Sequence, residues 1–396
     1  MDVNVDPVDA DRAHGALDGH HSNGRQPRSR RKTRLVRGAL IFCVVAVGGL
    51  LAASLISVPY EAITPGSTLK VGTLITVPKA KRHYSPGSVS LVDVKLIHLT
   101  VIGRLVYGLN HDNEILPIDR VLGTESSSDY NEQGVIDMSL AQQAATFVSF
   151  RQLGYDVRVG LHGVVIYAIG QNSPAVGSTQ SNSLRVGDLV LNIDDHAVTS
   201  TVALQQLIRQ HAPGDLVSLQ VRTLNTSRQR TVRITLGRFQ TSRDVTQCQV
   251  VEEKTGGQAT SGTACLGVDP MQMTTIADQP FAVNLSSEGI IGPSAGLAFT
   301  LGLIKSLDTG DLTNGLQIAA SGTMSIDGVV GDVGGVKQKT IAVRQSGASV
   351  FFVPSIEYKL AKANAGAHLR VFGVKNIEEA LRDLRSLGGR IVKVSQ

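Results

Sequence analysis

The sequence predicts a mixed α/β (α+β) protein in which globular modules follow one apolar N-terminal helix. Residues 38–58 carry no charge, and alternating apolar positions predict a strand at 88–99. A glycine-rich turn at 292–296 leads directly into the apolar helix pattern of 297–304. With 396 residues and a hydrophobic content of 42%, the chain is long enough for two or three domains with real cores.

The N-terminal region predicts a tail followed by a membrane anchor. Residues 1–37 are polar without an apolar period, which predicts disorder, and residues 25–37 hold seven cations and no acid. As a helix, residues 38–58 span about 30 Å, the thickness of a bilayer core. The cations place the N-terminus in the cytoplasm and the body outside it. A cleavable signal peptide remains the alternative, because residues 52–54 are small.

The cysteines agree with an exported body. Cys43 lies in the apolar segment, whereas Cys248 and Cys265 flank a polar stretch at 250–263. An oxidising compartment would allow these two to pair, and two free thiols are the alternative. Neither a zinc motif nor another cofactor motif occurs, so we expect no metal and no cofactor. Aromatic residues make up only 4% of the chain, which argues against a nucleic-acid partner.

The region after the apolar segment predicts a strand, a loop and a helix. Residues 59–66 predict a stiff, turn-rich exit, and residues 88–99 alternate as a strand does. Residues 111–133 are polar and loop-like, and residues 138–153 have the apolar spacing of a helix.

The middle of the chain predicts a small β-rich module with one helix. Its features are an apolar strand (163–169), a Ser-Pro-Ala turn (173–175), a segment with a central Gly-Asp (184–193), a helix (201–211) and two closing strands (216–221 and 232–236).

This module resembles a PDZ domain of the type found in bacterial exported proteases. The resemblance implies that the strand starting with Gly163, Val164, Val165 and Ile166 is the edge strand that receives an extended peptide, while the sequence leaves open whether the groove is accessible. The loop just before Gly163 would then hold a terminal carboxylate. Another small β-rich domain is the alternative interpretation.

A serine and a lysine carry the chemistry. Ser294 sits in the Gly-Pro-Ser-Ala-Gly turn at 292–296, where a helix N-terminus offers free N–H groups for an oxyanion. Serine needs a base, and Lys339, 45 positions later, becomes one if burial lowers its pKa. Taken alone, the turn is also compatible with a plain helix start and Lys339 with a solvated helix residue.

These motifs resemble the proteolytic domain of the Lon family of Ser–Lys peptidases. The family's GPSAG motif carries the nucleophile, its GG-x-K-x-K motif carries the lysine, and a hydroxyl residue before a glycine contacts that lysine. The resemblance assigns these roles to Ser294, Lys339 and Ser321, with the N–H groups of Ser294 and Ala295 as the oxyanion site. One position departs from the family pattern, because Ile291 stands where many ATP-driven members carry an acid.

The whole order resembles the membrane-anchored PDZ–Lon-like peptidases of Gram-positive and actinobacterial type. Because no Walker A motif occurs, the resemblance implies an ATP-independent serine endopeptidase acting on proteins or peptides. A membrane-tethered PDZ adaptor with an inert Lon-like part is the alternative, and homo-oligomerisation stays open. The predicted organisation is a disordered basic cytoplasmic tail (1–37), a transmembrane helix (38–58), a first part of the Lon-like domain (59–153), a PDZ domain (154–238), a connecting loop (239–269) and a Lon-type proteolytic domain (270–396).

Overall fold

The computed structural model describes residues 29–123, 125–177, 179, 182–241, 246–251 and 262–392. The chain divides into two compact units, one ending at Ile56 and one beginning at Ser57. The helices of the described residues are α1 (Ser29–Leu55), α2 (Val71–Leu74), α3 (Val101–Gly108), α4 (Ile118–Leu122), α5 (Ser127–Leu153), α6 (Thr201–Arg209), α7 (Gly296–Leu307), α8 (Val336–Gln345), α9 (Tyr358–Asn364) and α10 (Ile377–Ser386).

The strands of the described residues fall into two six-stranded sheets and several small ones. They are β1 (Ser57–Lys70), β2 (Ile75–Thr76), β3 (Ser88–Thr100), β4 (Glu114–Pro117), β5 (Arg158–Ile169), β6 (Asp188–Ile193), β7 (His196–Ala197), β8 (Leu216–Thr223), β9 (Gln229–Thr235), β10 (Gly237–Thr241), β11 (Thr246–Gln249), β12 (Ala264–Cys265), β13 (Val268–Ala277), β14 (Asn284–Leu285), β15 (Gln317–Ala320), β16 (Thr323–Met324), β17 (Val330–Gly331), β18 (Val350–Pro354) and β19 (Arg370–Val374).

The N-terminal helix α1 is longer on its N-terminal side than the sequence predicted. It begins at Ser29, so residues 29–37, assigned to the disordered tail, are helical where the structure describes them. Residues 1–28 of that tail lie outside the described residues. Within α1, Arg37–Leu55 is long and apolar enough to cross a membrane, although signal sequences share these features. The helix ends at Leu55, and the predicted helical residues 57 and 58 already belong to β1.

One mixed sheet joins the two ends of the second unit. Its strand order is β19-β18-β15-β3-β1-β4. The early strands β1 and β3 run antiparallel to each other, while β15 is parallel to both β3 and β18. Residues before the predicted PDZ module and residues after it therefore build the same sheet. This is the arrangement expected of one domain interrupted by another.

Helices cover both faces of this sheet. Successive side chains of a strand point to opposite faces, so Phe351 packs with α8 and α9 while Phe352 packs with α7 and α10. Helix α7 is buried along its whole length except at Lys305, as expected for a helix that is apolar on every side. The sheet is thus the middle layer of three.

The predicted turn-rich exit at 59–66 is in fact part of β1. Proline and glycine within a strand usually mark an irregularity. Here the pairing of β1 with β3 shifts register between Pro65 and Thr68, which accommodates Pro65 and Gly66 inside a long strand.

The predicted loop at 111–133 contains β4, α4 and the first turns of α5. The hydroxyl of Ser126 caps α5 by accepting the N–H of Asp129. The polar first turns of this helix carry no apolar stripe, which is why the sequence pattern began only at Met138. Helix α5 packs Met138 into the core of the mixed sheet and Ile136 into a second core shared with the PDZ-like module.

The PDZ-like module forms the second six-stranded sheet, whose main path is β13-β5-β6-β8-β9. The predicted strands and helix α6 appear where the sequence placed them. However, β5 is not an edge strand, because β13 pairs with it antiparallel from Val268↔Ile169 to Ala277↔Arg158. The prediction that this strand lies at the edge of the sheet is therefore wrong.

The predicted connecting loop at 239–269 is partly structured. Strands β10, β11 and β12 form a small sheet, and a disulfide joins Cys248 to Cys265 with a Cα–Cα distance of 5.8 Å. Of the two alternatives that the sequence left open for these cysteines, the structure has the bonded one. Residues 242–245 and 252–261 of this region lie outside the described residues.

Candidate active site

Ser294 sits in a single 3-10 turn, Pro293–Ala295, that runs directly into α7. Gly292 enters this turn at φ +88°, a region that side-chain-bearing residues rarely adopt. Gly296 leaves it so close to β16 that an added Cβ would lie 2.7 Å from the Met324 nitrogen. The two glycines therefore fix the turn that presents the serine.

Backbone hydrogen bonds hold this turn from two directions. The N–H of Gly292 donates to the carbonyl of Gly134 on α5 at 2.7 Å. On the other side, the carbonyl of Ser294 accepts the N–H of Gly322 at 2.9 Å, and Leu297 donates to the Gly322 carbonyl at 3.0 Å. Ser294 itself remains partly exposed, so its position is fixed while solvent still reaches it.

Lys339 lies on α8 with only 3% of its surface exposed. Its Nζ donates to Ser321 Oγ at 3.2 Å, and Ser321 Oγ contacts the Ser294 carbonyl at 3.4 Å. Ser321 follows the carboxyl end of β15 and donates its N–H to the Phe352 carbonyl at 3.0 Å. The three residues singled out in the sequence thus form one chain of contacts, with Ser321 between the lysine and the serine backbone.

Burial gives Lys339 the electrostatics of a base. Removing an ammonium from water disfavours its charged form, and this lowers the pKa of Lys339 to about 8. The carboxylates of Glu357 and Asp93 oppose part of that shift. A substantial neutral amine fraction therefore exists near neutral pH, which an exposed lysine does not have.

Lys337 lies two residues before Lys339 on α8 and has a different environment. Its Nζ donates to the backbone carbonyl of His111, and the side chain is only partly buried. Of the two lysines in the GG-x-K-x-K motif, the buried one is the second.

Glu357 is a neighbour of the lysine that sequence reasoning missed. Its Oε1 accepts the N–H of Val333 at 2.9 Å, at the start of the loop that leads into α8. Burial raises the pKa of the Glu357 carboxyl, while the Val333 N–H and the Lys339 charge act in the opposite direction. No motif marks this residue, since it stands at the end of the short turn Ser355–Glu357 in another part of the chain.

Two of the residues predicted to bind peptide in the PDZ-like module, Val164 and Val165, have strand partners on both sides, and Ile166 pairs with β13. Val164 pairs with Val190 on β6 and with Gln272 on β13. The carbonyl of Gly163 accepts the Gln272 side-chain amide at 2.8 Å. Because β13 already occupies the free side of β5, Gly163, Val164, Val165 and Ile166 offer no open edge. The terminal strand on this side of the sheet is β13.

Comparison with known proteins identifies two domains. A family model described as the PDZ domain matches residues 148–244, and one described as the Lon protease (S16) C-terminal proteolytic domain matches residues 287–384. Lon protease of Buchnera aphidicola is 31% identical over 94 residues, which is 23% of this chain and 12% of that protein. Lon protease 2 of Bacillus subtilis is 32% identical over 95 residues, 24% of this chain and 17% of that protein.

The chain therefore spans less than a fifth of the length of these curated relatives. Among solved structures, the PDZ domain of an SdrC-like protein from Listeria monocytogenes is 19% identical. The match covers 27% of this chain and 86% of that one, with a TM-score of 0.19. The PDZ match covers strands β5 to β9 of the PDZ-like sheet but not β13, and the Lon match covers the segment that holds Ser294, Ser321 and Lys339. One segment of the chain thus matches a PDZ domain, and a later segment matches the proteolytic domain of Lon protease.

Proposed function

We propose that the protein is an ATP-independent serine endopeptidase in which Ser294 is the nucleophile and Lys339 the general base. The observation that carries this proposal is the burial of Lys339, which lowers its pKa to about 8. Lys339 contacts Ser321, and Ser321 in turn contacts the backbone of Ser294. A lysine in this state accepts a proton near neutral pH, which serine chemistry requires.

We propose the following reaction for these groups. The neutral amine of Lys339 takes the proton from Ser294 Oγ, and the oxygen forms a bond to the substrate carbonyl carbon. The backbone N–H groups of Ser294 and Ala295 stabilise the oxyanion at the start of α7. The Lys339 ammonium then gives its proton to the leaving amine as the peptide bond breaks, and water hydrolyses the acyl-enzyme. Ser321 acts as a positioning residue that holds the amine.

Covalent labelling tests the chemistry. A fluorophosphonate should label the full chain at Ser294 in the absence of ATP, and cleavage of an unstructured protein should be unaffected by adding ATP. No labelling in a folded preparation would favour the inert PDZ adaptor instead. Cleavage only with ATP would contradict the ATP-independent mechanism, which was proposed because the sequence holds no Walker A motif.

We further propose that Arg37–Leu55 anchors the protein in the cytoplasmic membrane with its N-terminus inside. The seven cations of residues 25–37 favour this orientation. The disulfide between Cys248 and Cys265 supports an oxidising location for the body. A reporter that works only outside the cytoplasm should be active when fused after Gln396 and inactive at Met1. The reverse pattern would overturn the topology.

The PDZ domain is proposed to bind extended substrate tails at the edge of β13 rather than at β5. An unpaired strand edge accepts a peptide by adding a strand, and β13 is the terminal strand of this sheet. Pro270 suits such an edge, because proline has no N–H to donate to a neighbouring strand. The end of β13 also leads along the chain towards Ser294.

Photo-crosslinking distinguishes the two edges. A tail peptide with a diazirine side chain should crosslink to residues of β13, mapped by mass spectrometry. Crosslinks confined to β5 would mean that β13 is displaced on binding, and the proposed edge would be wrong. A scrambled peptide of the same composition is the control for nonspecific labelling.

A further inference from the structure

Helix α3 presents an unusual outer face. It packs against β1, β3 and β4, and none of its residues is buried. Leu105 is 70% exposed, Leu109 just after the helix is 76% exposed, and Val101 and Val106 are also exposed. Positions 101, 105 and 109 are spaced by four, so they lie along one side of the helix.

This pattern is the reverse of that of an ordinary surface helix. A surface helix turns its apolar stripe to the core and its polar face to water. In α3 the four most exposed apolar side chains lie together, with only Arg104 as a charge in the helix. Contiguous exposed apolar surface of this kind marks a contact with a protein or a membrane.

The location of α3 indicates which contact. Thr100, which caps the helix by accepting the N–H of Gly103, is the register partner of Ser57 at the start of β1. Paired Cα atoms in an antiparallel ladder are about 5 Å apart. Ser57 is separated from the end of the apolar helix α1 by Ile56 alone. The residue that caps α3 therefore lies beside the first residue of β1, and β1 follows the apolar segment along the chain.

The flanking side chains suit a lipid headgroup region. The guanidinium of Arg104 lies 3.7 Å from the centre of the Tyr60 ring, and Tyr107 is partly buried on the same helix. Tyrosine is enriched at membrane interfaces, and arginine extends its charge towards the headgroups while its stem stays apolar.

We propose that α3 is a lipid-binding helix whose face of Val101, Leu105, Val106 and Leu109 inserts into the outer surface of the membrane. This inference rests on the proposed membrane anchor. It makes the body of the protein a surface-bound domain with a fixed side towards the lipid, rather than a domain on a free tether. The edge of β13 in the PDZ sheet would then have a defined orientation relative to the membrane surface.

A pair of matched probes tests this proposal in the full chain. In a Cys43→Ser background, Leu105→Cys and Val202→Cys are each labelled with an environment-sensitive NBD dye. Val202 is the control, since it is also an apolar helix residue and 60% exposed, but on α6. The labelled proteins are reconstituted into phosphatidylglycerol–phosphatidylethanolamine vesicles with and without brominated acyl chains. Leu109→Cys provides a second α3 probe if Leu105→Cys misfolds.

The expected result is a blue-shifted emission at Leu105 that brominated lipid quenches, with neither change at Val202. Equal, water-like emission at both positions in vesicles that retain the protein would overturn the lipid contact and leave the anchor intact. A blue shift that depends on protein density but not on bromine would assign the face to a second copy and likewise overturn the proposal. Failure of the chain to float with the vesicles would overturn the anchor and this inference together.

Discussion

The serine turn and the PDZ sheet differ in how far their functional backbone depends on distant residues. The turn at 292–296 is indicated in the sequence by its own two glycines and by the helix that follows, and hydrogen bonds to Gly134 and Gly322 then hold it. The proposed peptide-binding edge of the PDZ sheet depends on β13, which pairs with β5 about a hundred residues earlier in the chain. A local motif therefore predicted the candidate serine turn, whereas the edge of the sheet could be located only once its strands had been paired.

The largest expected effect concerns the serine turn. Ser294→Ala and Lys339→Ala should each lower kcat/KM by roughly 10⁴-fold, and the double variant should be no worse, because the two groups act as one unit. Peptide hydrolysis and fluorophosphonate labelling would measure this loss.

Lys337→Ala is the matched control, since Lys337 lies on the same helix and binds the His111 carbonyl instead of Ser321. It should retain most of the activity. An inactive Lys337→Ala beside an active Lys339→Ala would exchange the roles of the two lysines.

The second prediction tests whether β13 is integral to the PDZ sheet. Met273 is buried between β13, α5 and β5, in a cluster with Ile136, Val165 and Leu189. Met273→Ala should lower the free energy of unfolding by about 2–5 kcal/mol, because it leaves a cavity. Urea denaturation would measure the change. Met271→Ala, on the same strand but only partly buried, should cost clearly less. Two equally small effects would mean that β13 is dispensable for the sheet.

The third prediction concerns the link between β9 and β13. Replacing Cys248 and Cys265 together by serine opens a loop of sequence separation 17, which should cost about 3 kcal/mol. Thermal unfolding with and without reductant would measure it, and Cys43→Ser serves as the control. Peptide binding at β13 should weaken more than cleavage of short peptides, because Cys265 stands just before β13. An equal loss of both would remove this distinction between the two regions.

The smallest effect is a shift of the pH profile. Lys339 must be neutral to act as a base, so kcat/KM should rise with pH through the pKa of about 8 and level off above it. Glu357→Gln removes a carboxylate that favours the ammonium, which should move this rise to lower pH by less than about one unit.

Glu378→Gln, on α10, should leave the profile unchanged, because its charge does not contribute to the pKa of Lys339. A Glu357→Gln profile that coincides with that of the parent protein would contradict the electrostatic role of Glu357.

The sequence by itself determined the features that rest on local patterns. The mixed α/β class, the apolar N-terminal helix and the helices after the two glycine motifs all follow from apolar period and turn chemistry over a few residues. The three residues Ser294, Ser321 and Lys339 were predicted from the resemblance to the Lon motifs, and the structure joins them through hydrogen bonds. Their catalytic roles stay a prediction until the variants are measured.

Only the tertiary structure decided the features that depend on which distant segments of the chain pack against each other. No sequence pattern indicated that the charge of Glu357 acts on Lys339 or that α5 begins at Ser127. Nor did any pattern indicate that β13 pairs with β5. Burial sets the pKa of Lys339, and burial is a property of the layers around α8 rather than of the motif. Strand edges are likewise decided by long-range pairing, because any strand is an edge until another segment bonds to it.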